Sequence, residues 1–160
     1  MQNKLLKLTH STDETKRLGF RLAQKISKKI PKNGARVITL KGNLGSGKTT
    51  FALGFLKYFG IRPHSASPTF VIMKKYKPRP KIGKLAINNI YHLDAYRLRS
   101  KRDLNVLEFG DILKDPKNVI LIEWPEKIRG TRFENKIAVS FSYRKKENER
   151  AIKFSVDKFS

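Results

Sequence analysis

Gly42-Asn43-Leu44-Gly45-Ser46-Gly47-Lys48-Thr49 is the stretch on which the reading of this chain turns. It matches G-x-x-x-x-G-K-[ST] in full, and it sits where that pattern has a mechanism. Ala35 to Leu40 (ARVITL), just before it, is a short β-branched run suited to a buried strand. Just after it, Ala52, Phe55, Leu56 and Phe59 fall on one helical face, with Gly60 and Pro63 as the stop. At ordinary residue frequencies a chance match in a chain this long has a probability of roughly half a percent. Glycines allow a tight turn, so backbone N–H groups and a helix N-terminus can face phosphate oxygens. Lys48 adds a full charge at the β- and γ-phosphates, and Thr49 offers a hydroxyl to Mg²⁺, which prefers oxygen ligands shared between protein and phosphate.

The segments on either side extend the pattern outward. Ser11-Thr12-Asp13-Glu14 has capping-box spacing, and Leu18, Leu22, Ile26 and Ile30 recur at four-residue steps, so an amphipathic helix is expected up to the stop at Pro31, Asn33 and Gly34. Strands are expected over 69–76 and 84–93, around a basic turn at 77–83, and a helix over 99–109 with Gly110 as its stop. Val119 to Ile122 is too short an apolar run for anything but a buried strand. Lys136 to Tyr143 and Arg150 to Val156 flank a charged turn and read as a hairpin. The order predicts an α/β fold: a P-loop NTPase-like mixed sheet flanked by helices, with a C-terminal β-hairpin, in one domain spanning 1–160.

Composition narrows the chemistry. The chain has no Cys, which removes disulfides, thiolate nucleophiles and Cys-based zinc sites together. No apolar run is long enough to cross a bilayer and the first residues lack a cleavable leader pattern, so a cytoplasmic location without membrane contact is expected. The 36 Lys and Arg outnumber the 13 Asp and Glu, for a formal charge of +23. Basic residues run the whole length, which fits a surface that attracts RNA and fits a genome-wide compositional bias equally well.

Against so few acids, two stand out. Glu123 directly follows the four apolar residues Val119-Ile120-Leu121-Ile122, where a P-loop site needs a carboxylate for its metal. Asp94, in Tyr91-His92-Leu93-Asp94-Ala95-Tyr96-Arg97-Leu98, could orient an attacking water or ligate magnesium through water; it could also cap a helix or pair with Arg97. Arg97 is split in the same way between stabilising phosphoryl charge and a structural pair. His92 reads as a packed histidine, and His10 and His64 show no sequence partner. Trp124 could sense nucleotide or partner, or simply pack. Thr69, in Ser67-Pro68-Thr69, stands where P-loop switch proteins carry a γ-phosphate sensor, although such a turn is commonplace.

Taken together, GNLGSGKTT at 42–50, SPTF at 67–70, YHLDAYRL at 91–98 and LIEWPEK at 121–127 resemble the ordered motif set of the TsaE family over nearly the whole chain. The resemblance implies an ATPase that works with two partners, TsaB and TsaD, in making N6-threonylcarbamoyladenosine in tRNA, so that tRNA is at least an indirect partner. It implies ATP or ADP on Gly45, Ser46, Gly47, Lys48, Thr49 and Thr50, with Thr12 near the nucleotide, and magnesium held by Thr49 and Glu123. Asp94 would be required for hydrolysis, and Thr69 and Trp124 would match the switch and its aromatic neighbour. The alternatives are a small-molecule or nucleotide kinase, which would need a lid and an acceptor pocket, and a basic RNA-binding module with a vestigial nucleotide site.

Overall fold

A computed structural model describes residues 3–62, 72–79, 86–128, 130–146 and 148–156. Seven strands form one mixed sheet: β1 (Asn3–Thr9), β2 (Arg36–Lys41), β3 (Met73–Tyr76), β4 (Asn89–Asp94), β5 (Asn118–Glu123), β6 (Asn135–Tyr143) and β7 (Arg150–Val156). Their spatial order is β1-β7-β6-β2-β5-β4-β3. β2 runs parallel to both β5 and β6, and β4 parallel to β5, while β3 and the β6–β7–β1 meander are antiparallel. The central parallel strands are buried on both faces, which explains why β5 (NVILIE) lacks polar alternation.

Helices α1 (Thr12–Ser27) and α2 (Lys48–Tyr58) cover one face, packing Ala23, Ile26, Phe51, Phe55 and Leu56 onto Ile38, Leu40, Leu121, Val139 and Ile152. The other face carries α3 (Lys101–Val106) and α4 (Phe109–Lys114), whose Leu104 and Phe109 meet Val37, Tyr91, Leu93, Ile120 and Ile122. Two glycines set the closeness of α1 and α2. A Cβ on Gly19 would stand 2.1 Å from the Phe51 carbonyl oxygen, and one on Gly54 would stand 1.9 Å from that of Lys16. Only residues without a Cβ let the two backbones approach so far.

The expected fold class and the hairpin are present, with corrections in detail. β1 was not foreseen, and it pairs outside β7, so the hairpin does not end the sheet. The helix expected over 99–109 is two helices. Ser100 and Asp103 form a capping box for α3, and Glu108 at φ 52° breaks the chain before α4, so Gly110 lies inside a helix instead of stopping one. In the second strand of the 69–93 region the ladder covers only Asn89–Asp94, and residues 63–71 and 80–85 of the expected strand and turn lie outside the described residues. At the start of α1 the Ser11 hydroxyl accepts from Glu14 N at 3.2 Å, but the Glu14 carboxylate reaches back to His10 N at 2.7 Å, one residue beyond a standard capping box.

Candidate nucleotide-binding site

β2, β4 and β5 end side by side, and the carboxyl ends of parallel strands are where open α/β sheets hold their ligands. Register places Leu40, Asp94 and Glu123 in one row, because Glu123 pairs with Leu40 on one side and with Asp94 on the other. Paired residues share a face, so both carboxylates emerge on the side carrying α2. The loop from Gly42 leads straight into that helix.

The loop is built to leave the helix N-terminus open. Gly47, at φ 103°, is the N-cap of α2 and supplies no side-chain acceptor, and the first turn of the helix has no acidic residue. The first-turn N–H groups and the positive end of the helix dipole are thus free for an anion. Tyr143 from β6 donates its hydroxyl to the Leu44 carbonyl, tying the loop to the sheet, and Ser46 N donates to the Asn43 carbonyl at 3.1 Å, closing a turn within the loop.

Lys48 is buried, and its Nζ donates to the carbonyls of Gly42 at 2.7 Å and Asn43 at 2.9 Å. The ammonium also lies 4.0 Å from the centroid of the Trp124 ring. Burial pushes the Lys48 ammonium below its ordinary range, while the charges of Glu123, Glu126 and Asp94 pull it back up. Trp124 holds its position through a left-handed backbone at φ 58°, which turns the chain away from β5, and its ring meets Tyr96 at 5.3 Å.

Glu123 is held from both sides. Thr49 Oγ1 donates to its Oε2 at 3.3 Å, and His92 Nε2 lies 2.8 Å from its Oε1. A carboxylate only accepts, so the imidazole donates. His92 and Glu123 are 1% and 4% exposed, so this contact is made in the interior, where each group depends on the other for satisfaction. His92 therefore does more than pack, and the clue in the sequence was its place two residues before Asp94 on a strand beside β5. Thr49 and Glu123 present a hydroxyl and a carboxylate to one point, a hard oxygen set that suits Mg²⁺ shared with phosphate.

Asp94 is buried beside this group, but its own carboxylate caps the following 3-10 turn by accepting from Tyr96 N at 3.2 Å and pairs with Arg97 Nε at 3.5 Å. Both structural roles open in the sequence are thus present, and Arg97 points to Asp94. His10 has a partner after all, Glu149 at 3.3 Å. Thr69 and His64 lie outside the described residues.

Next to the loop, a cavity of about 430 Å³ is lined by Thr12, Asp13 and Thr15 of α1, Gly45, Gly47 and Thr50 of the loop and α2, and Arg150 of β7. Its size is that of a small-molecule pocket. Thr12 and Thr50, distant in sequence, meet there. A separate cavity of about 310 Å³, lined by Asn33, Gly34, Leu113 and Phe133 among others, opens at the starts of β2 and β6, a strand length from the loop.

The family described as threonylcarbamoyl adenosine biosynthesis protein TsaE matches this chain over residues 9–152. A tRNA threonylcarbamoyladenosine biosynthesis protein TsaE from Rickettsia conorii is 39% identical over 122 residues, 75% of this chain and 61% of that one. The protein of the same name from Rickettsia felis is 36% identical with 63% of its length covered, so this chain spans less than two thirds of either relative. The one from Haemophilus influenzae is 33% identical, with 79% of this chain and 75% of that one covered. Among solved structures, Bacillus subtilis YdiB superposes with a TM-score of 0.67 at 27% identity, covering 98% of this chain and 87% of that one. A match of this extent, on a chain that carries the loop, the strand-end carboxylates and the sheet order described above, makes it a member of the TsaE family.

Proposed function

We propose that this chain, acting as one domain over 1–160, is an ATP-binding and ATP-hydrolysing component of the machinery that makes N6-threonylcarbamoyladenosine in tRNA, working with TsaB and TsaD. The observation that carries the reading is the meeting of Lys48, Thr49 and Glu123 at the open N-terminus of α2. The triphosphate of ATP lies along Gly45 to Thr50, with the nucleoside toward the cavity of Thr12 and Thr50. Lys48 exchanges its contacts with the Gly42 and Asn43 carbonyls for phosphate oxygens, a better match for a desolvated ammonium. Thr49 and Glu123 would hold magnesium, which when bound would supply charge to offset that of the phosphates. His92 keeps one oxygen of Glu123 fixed so that the other faces Thr49.

Asp94 would act in hydrolysis by giving up its bond to Tyr96 N or to Arg97 and accepting a hydrogen bond from the attacking water, which it would orient toward the terminal phosphate. Such a rearrangement, together with Thr69 and Trp124 as switch elements, explains why a partner would be needed for full turnover: Glu123 and Asp94 are both already engaged, with His92 and with Tyr96 and Arg97. Phosphate release measured with and without a TsaB–TsaD pair tests this. The reading expects slow release from the chain alone and faster release with the pair. Equal rates contradict partner activation, and transfer of phosphate from labelled ATP to a metabolite instead of water would favour a kinase.

A further inference from the structure

The net charge hides an asymmetry: no Asp or Glu occurs anywhere between Glu14 and Asp94. That stretch contains nearly all of α1, the whole of α2 and strands β2 and β3, so the helical layer on one face of the sheet has no carboxylate after the first turn of α1. The acids lie elsewhere. Asp103, Glu108 and Asp111 belong to the α3–α4 layer on the opposite face.

Past its first turn, α1 buries Thr15, Gly19, Ala23 and Ile26 and turns Arg17, Arg21 and Lys25 outward, with Lys28 following at its C-cap, all four exposed. Their steps of four, four and three residues keep them on one helix face over about 16 Å. None of the four has an ion-pair partner among the described residues, whereas Lys114, Lys146 and Arg97 on other elements each meet a carboxylate. Beside them Phe20 is 36% exposed, and its ring is fixed edge-on against Tyr58 at 5.2 Å. The Tyr58 hydroxyl is in turn held by Ser27 Oγ at 2.8 Å.

We propose that this face of α1 docks RNA, the four cations meeting backbone phosphates and Phe20 stacking on an unpaired base. Beyond the first-turn acids Asp13 and Glu14, cations held by no ion pair supply the electrostatic attraction, and a flat aromatic beside them suits a single-stranded loop, whose bases can be splayed onto a ring. A membrane surface fits less well, because the apolar side of α1 is already covered by α2 and the sheet. The inference rests on the proposed function only in naming tRNA as the RNA; it requires no nucleotide chemistry.

The test titrates the full chain into labelled tRNA transcript by fluorescence anisotropy over a range of salt. One variant carries Arg17→Gln, Arg21→Gln, Lys25→Gln and Lys28→Gln. A control with the same charge change carries Arg102→Gln, Lys117→Gln, Lys145→Gln and Lys153→Gln, four exposed cations on other elements. The α1 set should flatten the slope of log K against log salt by about 3, and the control by less than about 1. Phe20→Leu, which keeps an apolar contact for Tyr58, should weaken binding at least about 5-fold with the slope unchanged. Equal effects of the two sets, no binding by the parent chain, or an α1 set that weakens phosphatidylserine vesicles as much as tRNA while Phe20→Leu changes nothing would each overturn the proposal. ATP binding is measured on the same samples and should be the same in all of them. Its loss in the parent chain would count against the proposed ATPase and leave the RNA result standing.

Discussion

Replacing His92 with Leu tests the inner framework of the site with a volume-compatible change. It removes the 2.8 Å contact to Glu123 Oε1 and puts nothing polar in its place, at a position 1% exposed. A buried acceptor that loses its donor costs about 1–3 kcal/mol, and toward the upper end when the acceptor is charged. For a chain of this length each kcal/mol lowers Tm by about 2–4 °C, so a drop of about 6–12 °C is expected. The functional effect is separate. Partners that orient a metal ligand are typically worth 10- to 100-fold in metal affinity, and His92 holds Glu123, the proposed magnesium ligand, beside Thr49. The assay is a magnesium titration at fixed ATP followed by the fluorescence of Trp124, the single tryptophan, which sits over Lys48. Apparent Mg²⁺ affinity should fall about 10- to 100-fold in His92→Leu and recover in part in His92→Gln, whose amide can donate to the same oxygen. A destabilised His92→Leu protein with magnesium affinity within twofold of the parent would refute the positioning role.

Two further outcomes follow from the geometry. Because burial lowers the Lys48 pKa, the unfolded chain keeps that proton up to about 10.5 while the folded chain releases it earlier, so this group's destabilising effect, full below the folded pKa, is relieved as pH rises toward 10.5. Chemical denaturation across that alkaline range should show stability rising with pH in the parent relative to Lys48→Met; parallel curves would contradict the burial of the charge. Gly54→Ala should cost at least about 3 kcal/mol, since the new Cβ would lie 1.9 Å from a backbone oxygen of Lys16 and α1 must move away from α2. A thermal midpoint unchanged from the parent would mean that the two helices are not so closely packed.

How much of this was legible beforehand depended on how local the signal was. The loop and its two flanking elements announce themselves within about twenty residues, and Val119 to Glu123 says both strand and acid in five. β1 escaped because Leu5, Leu6 and Leu8 do not alternate cleanly and all stay exposed at the sheet edge, so no half-buried pattern was there to read. The break between α3 and α4 escaped because it falls at Glu108, a residue type with no preference for the left-handed backbone it adopts, while the nearby Gly110 drew the stop to itself. The role of His92 is not legible locally because its partner is thirty-one residues away on a neighbouring strand, and only the β4–β5 register brings them together. The meeting of Thr12 with Thr50 in one cavity has the same cause, the packing of α1 on α2, although the family resemblance had already set Thr12 near a nucleotide.

The proposed ATPase requires a triphosphate seated on the Gly42–Thr49 loop against Lys48. Calorimetric titration of ATP with magnesium into the parent chain and into Lys48→Ala measures that seat directly. A unit charge about 4 Å from a phosphate near a protein surface is worth about 4 kcal/mol, so ATP affinity should fall by about a thousandfold in the variant. An affinity that stays within a few-fold of the parent would contradict it.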